Sequence, residues 1–367
     1  MNILAIETSC DETSASIIKE NSGALEVASN IVSSQIDIHK AYGGVVPEIA
    51  ARHHVKNIIP VILESLATAS LSSQEIDLIA VTSGPGLITS LIVGVEAAKS
   101  LAVAWNKPVM QVNHMYAHLA ANFLYFNLPQ APSFKQGVGN NQFPVIALIV
   151  SGGHTEIILV EDYNKFKKIG QTVDDAAGEA FDKVAKLLNL GYPGGPIVSA
   201  EADKFKIQNH QKQIKSKPQK LSSNLFFPRP MIDSPNFNFS FSGLKTAVLY
   251  AVQKMTQEEI KKKIPEICYE FQAAAVAVLV KKTIKAAEKF SAKTVFLAGG
   301  VAANRKLRQE LETAVKNKNL EFFVPDFKYC TDNASMIGIA AYYLAKENMP
   351  DLDNWRSIKA DPNWELE

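Results

Sequence analysis

Residues 144–160 read PVIALIVSGGHTEIILV, and this stretch decides the fold. An apolar run, 144–150, is followed by the polar turn 151–155 and by a second apolar run, 156–160. Two short β-forming runs around a glycine-containing turn predict a β-hairpin. Residues 2–18, NILAIETSCDETSASII, show the same arrangement with a turn rich in hydroxyls and acids. We therefore expect two halves that each open with a hairpin.

The stretches that follow the hairpins alternate between helix and strand. Helices are predicted over 46–69 and 91–105, and strands over 77–82 and 109–112. In the second half, 294–297 is predicted as a strand that leads into a helix. Strands that alternate with helices indicate an α/β architecture. We predict two duplicated mixed-sheet lobes with a cleft between them.

The composition is that of a globular protein. The chain has 367 residues, 47% hydrophobic and 20% charged, which suffices for two domains with a sizeable core. The net charge of +1 favours neither a nucleic acid nor a membrane. Residues 1–110 carry 6 Lys/Arg against 11 Asp/Glu, and the remainder 32 against 26. The basic second half is compatible with a polyanionic partner, although solvation explains any single cluster.

Three cysteines, Cys10, Cys268 and Cys330, show no short-range pairing pattern. That usage suits a reducing cytoplasm. The first residues lack a basic region, so no signal peptide is expected. The longest apolar run, 273–280, is too short to span a bilayer. A cytoplasmic protein without a membrane segment is expected.

Two segments have the composition of insertions. Residues 129–142 are rich in Pro, Gly, Asn and Gln and separate the two halves. Residues 204–220 carry six lysines and His210, with no clear apolar period, and are predicted as a mobile surface loop. These lysines suit RNA phosphates, but solubility alone explains them and is the favoured interpretation.

A histidine pair with a distant aspartate is the strongest chemical signal. His114 and His118 stand four residues apart in a predicted helix, so both imidazoles share one face. Together with Asp332, they have the ligand chemistry of a divalent metal site with open positions. Such a pair is more often unliganded, and an Asp before a helix is often only a cap. Met115 stands where a zinc peptidase needs its Glu base.

Glycine-rich turns provide candidate phosphate sites. Residues 151–153 and 298–304 each follow a strand, and glycines there let backbone N–H groups approach an anion. Asn304 can donate and accept, as a nucleotide hydroxyl requires. A plain tight turn is the commoner meaning of two adjacent glycines.

An acidic stretch and a lysine complete the candidates. If 174–183 is helical, Asp175, Glu179 and Asp182 share a face that needs a cation or a hydroxyl-rich ligand. Alternatively, the acids are a solvated helix start. Lys245, in a predicted loop-to-helix junction, is either a phosphate contact or an ordinary surface lysine.

Taken in order, these segments resemble one family, the tRNA N6-adenosine threonylcarbamoyltransferases (TsaD). Each motif is weak alone, but the ordered set is very specific and covers nearly the whole chain. The segments that carry the resemblance are 6–13, 43–48, 112–118, 150–155, 174–183, 192–196, 241–246, 299–304 and 331–333.

The resemblance implies the two-lobed α/β fold of actin, Hsp70 and sugar kinases. It implies a first lobe of 1–113 plus about 340–367, and a second lobe of 114–339 with a surface insertion at about 204–220. It also implies one divalent ion per chain, Fe²⁺ first and Zn²⁺ second, held by His114, His118 and Asp332.

The resemblance further implies a substrate site for threonylcarbamoyl-AMP. Many relatives have Asp where Ser199 stands here, which puts one ribose contact in doubt. The implied adenylate-binding residues are Ile149, Val150, Ser151, Gly152, Gly153, Asp182, Gly195 and Asn304.

The implied reaction is acyl transfer to N6 of the adenosine beside the anticodon, in tRNAs that read codons starting with A. Asp11 and Glu12, at the first hairpin tip, are candidates to accept the proton. The implied partners are tRNA, a degenerate paralogue of the same fold and a small P-loop ATPase, while a separate enzyme makes the adenylate.

Three other functions remain open. A phosphotransferase of the sugar-kinase type shares the implied fold but gives the histidine pair no role. A metallopeptidase lacks the Glu base beside His114. A nucleotide-binding scaffold without activity has no need of the three metal-ligating residues, which are all present.

Overall fold

Two five-stranded sheets organise the computed structural model, which describes residues 1–21, 23–126, 142–213 and 225–366. In each sheet, three strands form an antiparallel meander and two more continue in parallel. The strands of the first sheet are β1 (Asn2–Glu7), β2 (Glu12–Asn21), β3 (Ala24–Ser34), β4 (Leu78–Gly84) and β5 (Val109–Asn113). The strands of the second sheet are β6 (Val145–Val150), β7 (Thr155–Asp162), β8 (Lys165–Gln171), β9 (Thr294–Ala298) and β10 (Glu321–Phe323).

The two sheets repeat one strand order. The first runs β3-β2-β1-β4-β5 and the second β8-β7-β6-β9-β10, so each begins its meander at a central strand. Both predicted hairpins are present as β1–β2 and β6–β7. The duplicated mixed-sheet architecture expected from the sequence is therefore confirmed.

Helices and short 3₁₀ turns connect and cover the strands. The 3₁₀ turns are Ser73–Glu75, Gly300–Ala303, Phe327–Tyr329 and Asn354–Arg356. The helices are α1 (Ile36–Lys40), α2 (Pro47–Thr68), α3 (Ile88–Trp105), α4 (His114–Ala120), α5 (Phe123–Phe126), α6 (Ala177–Leu187), α7 (Gly194–Gln213), α8 (Ser242–Gln253), α9 (Gln257–Lys289), α10 (Arg305–Lys316) and α11 (Ala334–Glu347).

Helices α4 and α11 lie in a core shared by the two sheets. The two helices pack against each other. Helix α11 also packs against β1 and β2, and helix α4 also packs against β6 and β9. Their buried cluster joins residues of the first sheet, such as Ala5, with residues of the second, such as Ala147 and Phe296. The predicted lobe boundary near residue 340 falls inside α11. Side chains carried by α4 and α11 are therefore fixed between the lobes.

One described helix, α3, is long and apolar enough to cross a membrane by length and composition alone. A core helix of a soluble protein passes the same test, and a single such helix is weak evidence. Here α3 packs on β4 and buries Leu91, Val95 and Ala98 in the first-lobe core. Its apolar character is thus partly explained by that core.

The segment 204–220 differs from the prediction. Helix α7 continues to Gln213, so 204–213 is helical and the predicted surface loop was wrong there. Val198 and Ala202, fully buried near its start, fix the helix, and the polar residues continue it. Residues 214–220 lie outside the described residues, as do 129–141 of the other predicted insertion.

Candidate metal centre and nucleotide cleft

Helix α4 presents the two histidines because its start is fixed by a side chain. Asn113, at the end of β5, accepts hydrogen bonds from the backbone N–H groups of Met115 and Tyr116. That N-cap sets the direction in which α4 leaves the strand. His114 and His118 then lie one turn apart, with ring centroids 4.6 Å from each other.

Helix α11 brings the aspartate. Asn333 caps α11 through the backbone N–H groups of Ser335 and Met336, and the N–H of Ala334 donates to Ser14 Oγ on β2. Asn333, and not Asp332, is therefore the cap. The capping explanation for Asp332 does not hold, and its carboxylate faces the histidines instead.

The three side chains converge. Asp332 Oδ1 lies 3.2 Å from His118 Nε2 and 3.5 Å from His114 Nε2. The three ligand atoms all lie within 4.8 Å of one another, so this group could hold a metal ion. Among the described residues, Nδ1 of buried His118 has no hydrogen-bond partner, and its Nε2 has only the ion-pair contact with Asp332. A buried imidazole nitrogen without such a partner is suited to a metal, and two imidazoles with a carboxylate fit a divalent ion.

Glu7 contacts the ring nitrogen of His114 that does not face Asp332. Its Oε2 lies 3.2 Å from His114 Nδ1, and the backbone N–H of Ser9 and the hydroxyl of Thr82 each donate to its carboxylate at 2.5 Å. Glu7 is fully buried. A carboxylate on the second ring nitrogen fixes the tautomer of a ligating histidine and leaves Nε2 for the metal.

The charges around His114 determine its protonation in the metal-free protein. Burial lowers the pKa of His114, but the carboxylates of Asp332 and Glu7 oppose this and raise it to about 10. Burial raises the pKa of Asp332, but the charge of His114 outweighs this and lowers it. The pKa of His118 is lowered, chiefly by burial. His118 is thus the neutral histidine, and a metal must displace the proton of His114.

His154 lies at the second hairpin turn, near the same charges. Burial, and then the positive charge of His114, lower the pKa of His154 to about 4. Its backbone N–H donates to Ser151 Oγ at 3.1 Å, and its carbonyl accepts from the N–H of Ser151 at 2.8 Å. The glycine-containing turn therefore lies within electrostatic range of the metal-ligand cluster.

The two glycine-rich loops meet at the carboxyl ends of parallel strands. β6 pairs with β9, with Ile149 opposite Ala298, so 149–153 and 299–304 leave the same sheet edge. Gly299 has φ +85°, and a Cβ there would lie 2.5 Å from the carbonyl oxygen of Val150. The carboxyl edge of parallel strands is where α/β proteins bind ligands. Ile149 and Val150 are buried, whereas Gly152 and Gly153 are exposed.

Asn304 is held by an amide and hydroxyl network. Its side-chain oxygen accepts from the N–H of Leu307 at 3.0 Å, as the N-cap of α10. Its Nδ2 donates to Ser199 Oγ at 3.0 Å and to Gln272 Oε1 at 2.8 Å, and Ser199 Oγ also donates to Gln272 Oε1 at 2.8 Å. Gln272 is only 1% exposed. Ser199 therefore completes a neutral triad at the position of the predicted ribose contact.

Asp182 and Gly195 lie together in the same lobe. The Asp182 carboxylate accepts the N–H of Gly194 at 2.7 Å and also that of Gly195. Burial raises the pKa of Asp182, and these two hydrogen bonds partly oppose the rise. The carboxylate thus fixes the glycine turn that begins α7.

The other acids of the stretch 174–183 have protein partners. Helix α6 begins at Ala177, so the prediction that Asp175 shares a helix face with Glu179 and Asp182 was wrong. Lys183 Nζ lies 2.8 Å from both Asp175 Oδ1 and Glu179 Oε1 and supplies the expected cation. These two acids therefore need no ligand to offset their charge.

Asp11 and Glu12 lie buried at the first hairpin tip, 7% and 9% exposed. Burial, and then the charges of Asp11 and Asp332, raise the pKa of Glu12 well above its ordinary value. Their carboxyl groups share a hydrogen bond. Glu12 is the partner that retains a proton, because two adjacent carboxylates do not both ionise readily.

The sequence interpretation missed Glu7 and Gln272. Glu7 belongs to a motif that carried the resemblance, but its contact to His114 spans 107 residues of chain. Gln272 lies in an apolar stretch of α9, where an isolated buried amide was the available signal. Neither contact can be inferred without knowing how the elements pack.

With this geometry established, the comparisons with known proteins identify the family. The family model TsaD, described as tRNA N6-adenosine threonylcarbamoyltransferase, matches residues 26–339. The chain belongs to the tRNA N6-adenosine threonylcarbamoyltransferase family. The sequence resemblance is therefore confirmed.

Curated members of the threonylcarbamoyltransferase family match the chain over most of its length. The protein of that name from Thermosipho africanus is 46% identical over 366 residues, and the match covers 100% of both chains. The one from Syntrophomonas wolfei is 46% identical over 341 residues, covering 93% of this chain and 91% of its own. The Staphylococcus carnosus protein is 46% identical over 348 residues, which cover 95% of this chain and 92% of the relative.

Solved structures resemble this threonylcarbamoyltransferase-family chain in fold alone. HypF from T. kodakarensis superposes with a TM-score of 0.61 at 14% identity and covers 96% of this chain. A full-length HypF in its phosphate- and nucleotide-bound form gives a TM-score of 0.57 at 14% identity, with 95% covered. The chain spans about half of each HypF chain, 49% and 47%. The expected two-lobed actin/Hsp70/sugar-kinase-like fold is confirmed.

Proposed function

We propose that this protein transfers the threonylcarbamoyl group of threonylcarbamoyl-AMP to N6 of the adenosine beside the anticodon. The acceptors are tRNAs that read codons starting with A, and AMP is released. The observation that carries this proposal is the convergence of His114, His118 and Asp332, with α4 packed against β6 and β9, the two strands from which the glycine-rich loops leave. A metallopeptidase and a sugar kinase are not favoured, because the family members that the chain matches are named as transferases.

The metal site is proposed to hold one divalent ion, with Fe²⁺ as the first candidate and Zn²⁺ as the second. His114, His118 and Asp332 would supply the ligands, with Glu7 orienting His114 through its Nδ1. The bound ion would supply Lewis acidity toward the carbonyl of the threonylcarbamoyl group. Three protein ligands leave positions open for a substrate.

The adenylate is proposed to bind along the carboxyl edge of the second sheet. Backbone N–H groups of 151–153 would approach the phosphate, because glycines leave room for an anion. Asp182, Gly195 and Asn304 are proposed to contact the nucleoside, with Ile149 and Val150 forming the floor. In this chain Ser199 offers the ribose a hydroxyl that is held by Asn304 and Gln272.

In the transfer, N6 forms a bond to the carbonyl carbon, the bond from that carbon to the phosphate oxygen of AMP breaks, and N6 loses one proton. We propose Asp11 as the group that accepts this proton. The raised pKa of Glu12 means that Glu12 keeps its proton to a higher pH than an ordinary carboxyl group does, which makes it the less suitable base. Because an exocyclic amine is a poor nucleophile, its placement against the carbonyl should supply much of the acceleration.

The proposed partners are tRNA, a degenerate paralogue of the same fold and a P-loop ATPase, in the cytoplasm. One apolar stripe on α2 supports a protein partner: Val55, Ile59 and Leu63 recur every four residues and are 63%, 49% and 60% exposed. A contiguous exposed apolar stripe commonly marks a protein interface. The paralogue is proposed to cover this stripe. If Ile59→Asp bound the paralogue as tightly as the unchanged protein in size-exclusion runs, the stripe would not be the interface.

The decisive experiment is mass spectrometry of nucleosides from tRNA incubated with this protein, threonylcarbamoyl-AMP and the candidate partners. The expected result is threonylcarbamoyladenosine with the unchanged protein and none with His114→Ala, which should also lose bound metal. His53→Ala, on α2, is the matched control and should retain both. Absence of the modified nucleoside in a complete mixture, or sugar phosphorylation with ATP, would overturn the proposal.

A further inference from the structure

One side chain, Arg308 on α10, contacts two separate loops. Its Nε donates to the carbonyl of Ala302 at 2.5 Å, and its Nη2 donates to the carbonyl of Pro325 at 2.8 Å. Nη2 also lies 2.8 Å from Cys330 Sγ. The ring of Phe327 covers the guanidinium, with Cζ 4.1 Å from the ring centroid. The planar guanidinium is thus held on its face by the Phe327 ring and along its edge by hydrogen bonds to the two carbonyls.

Each of these loops ends at a residue of the proposed site. Ala302 lies in the 3₁₀ turn between Gly299 and Asn304, and its N–H donates to the carbonyl of Gly299 at 2.8 Å. On the other side, Cys330 precedes Asp332 by two residues. The carbonyl between them is fixed as well, because Asn333 Nδ2 donates to the carbonyl of Thr331 at 2.7 Å. Neither loop can shift far without moving Arg308.

We propose that Arg308 is a positioning residue that couples the metal-ligand loop to the nucleotide loop. This inference rests on the proposed function, since it takes Asp332 as a metal ligand and Asn304 as an adenylate contact. A metal bound through Asp332 fixes the loop 325–332, and Arg308 then holds the carbonyl of Ala302 in its nucleotide-binding position. By linkage, AMP must tighten metal binding by the same factor by which the metal tightens AMP binding.

The geometry of arginine is what this role requires. A guanidinium carries its donors in a rigid fork, so one group can hold two carbonyls at a set separation. A lysine ammonium at position 308 retains the charge but is a single point on a flexible stem. Arg308→Lys therefore separates a role in bridging from a role in charge alone.

The experiment measures binding to the full-length chain after removal of metal with a chelator. Fe²⁺, under anaerobic conditions, is titrated by calorimetry with and without saturating AMP, and AMP with and without Fe²⁺. We expect AMP to tighten Fe²⁺ binding at least fivefold in the unchanged protein, with the same factor in the reverse titration. In Arg308→Met and in Arg308→Lys, that factor should fall toward one. Arg305→Met, at an exposed position of the same helix, is the control and should keep it.

The possible outcomes are distinct. A coupling factor that survives in Arg308→Met and Arg308→Lys would overturn the inference, as would an unchanged protein that binds both ligands without coupling. If Arg308→Met fails to fold, Arg308→Lys decides, since it removes the fork and retains the charge. Failure of the proposed function would appear in the unchanged protein itself, which would then bind neither Fe²⁺ nor AMP.

Discussion

At the scale of single residues, His114 is held between two carboxylates. Asp332 faces its Nε2 and Glu7 faces its Nδ1. Without a metal, this arrangement stabilises the imidazolium and raises the pKa of His114 to about 10 against the burial that lowers it. The neighbouring His118 has a lowered pKa and stays neutral. The proton on His114 therefore replaces part of the missing positive charge of the ion.

This protonation makes the metal-free protein sensitive to alkali. A histidine with a raised folded-state pKa contributes stability that is complete below its unfolded value of about 6.5. That contribution is lost as the pH rises toward about 10. We expect the melting temperature of the chelator-treated protein to fall between about pH 6.5 and 10. Thermal melts across this range would measure the fall.

The matched variant for this prediction is His114→Asn, which removes the titrating group. Its melting temperature should start lower at pH 6.5 and change less toward pH 10. The lowered pKa of Asp332 contributes stability that is lost only as the pH falls into the acid range, so it does not interfere. A flat profile in the unchanged protein would contradict the assigned charge of His114.

Gln272 is the second residue with a testable role. Its Oε1 accepts from both Ser199 and Asn304, and so it fixes which way the Asn304 amide points. Gln272→Leu removes this acceptor in a buried place, and we expect AMP affinity to fall about tenfold, the equivalent of about one hydrogen bond. Calorimetric titration with AMP measures the effect.

Gln272→Glu is the informative companion variant, because it keeps the acceptor atoms for Ser199 and Asn304. We expect it to bind AMP more tightly than Gln272→Leu does. Equal AMP affinity in Gln272→Leu and the unchanged protein would show that the amide orientation of Asn304 does not affect the nucleotide.

At the scale of elements, the start of α11 decides where Asp332 lies. Asn333 caps the helix by accepting from the N–H groups of Ser335 and Met336, and it is fully buried. Asn333→Ala should lower the free energy of unfolding by about 1–2 kcal/mol, because the two N–H groups lose their acceptor. It should also weaken metal binding, because Asp332 loses its support. Urea denaturation and metal titration measure the two effects.

A second N-cap provides the control. Thr256 caps α9 by accepting from the N–H of Glu259 at 3.3 Å. Thr256→Ala should also reduce stability but leave metal affinity unchanged, since the buried residues of α9 belong to the core of the second lobe and not to the cluster around α4 and α11. If both variants affected metal binding equally, the loss would reflect general instability and not the position of Asp332.

The same elements show what the sequence could and could not predict. The two hairpins were predictable because each strand is a local apolar run around a turn. Helix α7 was not predicted, because its later residues have no apolar period and are helical by continuation. The support of His114 by Glu7 depends on β1 lying beside α4, and the coupling contacts of Arg308 depend on how α10 packs. Local pattern carries no such information.

At the scale of the whole molecule, the shared core joins the lobes. Buried residues of both sheets pack around α4 and α11 in one cluster. Separating the lobes would expose that cluster to water, at about 25 cal/mol for each Å² of apolar surface. The two lobes should therefore unfold together.

A pair of core variants tests this cooperativity. Leu244 lies in the core of the second lobe, and Leu244→Ala should lower the free energy of unfolding by about 2–5 kcal/mol. In Leu244→Ala, the backbone amides of β1, in the first sheet, should lose as much protection from hydrogen exchange as the amides of β6. Ile62→Ala, in the core of the first lobe, should act reciprocally on β6. Exchange confined to the altered lobe would show that the lobes unfold independently.

The position of α4 and α11 in this core has a practical consequence for chemistry directed at the protein. The histidines stand on α4 and the aspartate lies directly before the capped start of α11, so they have little freedom to adjust, whereas the glycine-rich segments 151–153 and 299–304 are loops and turns. A rigid small-molecule inhibitor shaped to the three side chains would lose little conformational entropy on binding. Selectivity among relatives would have to be designed into groups that reach outward to the loops.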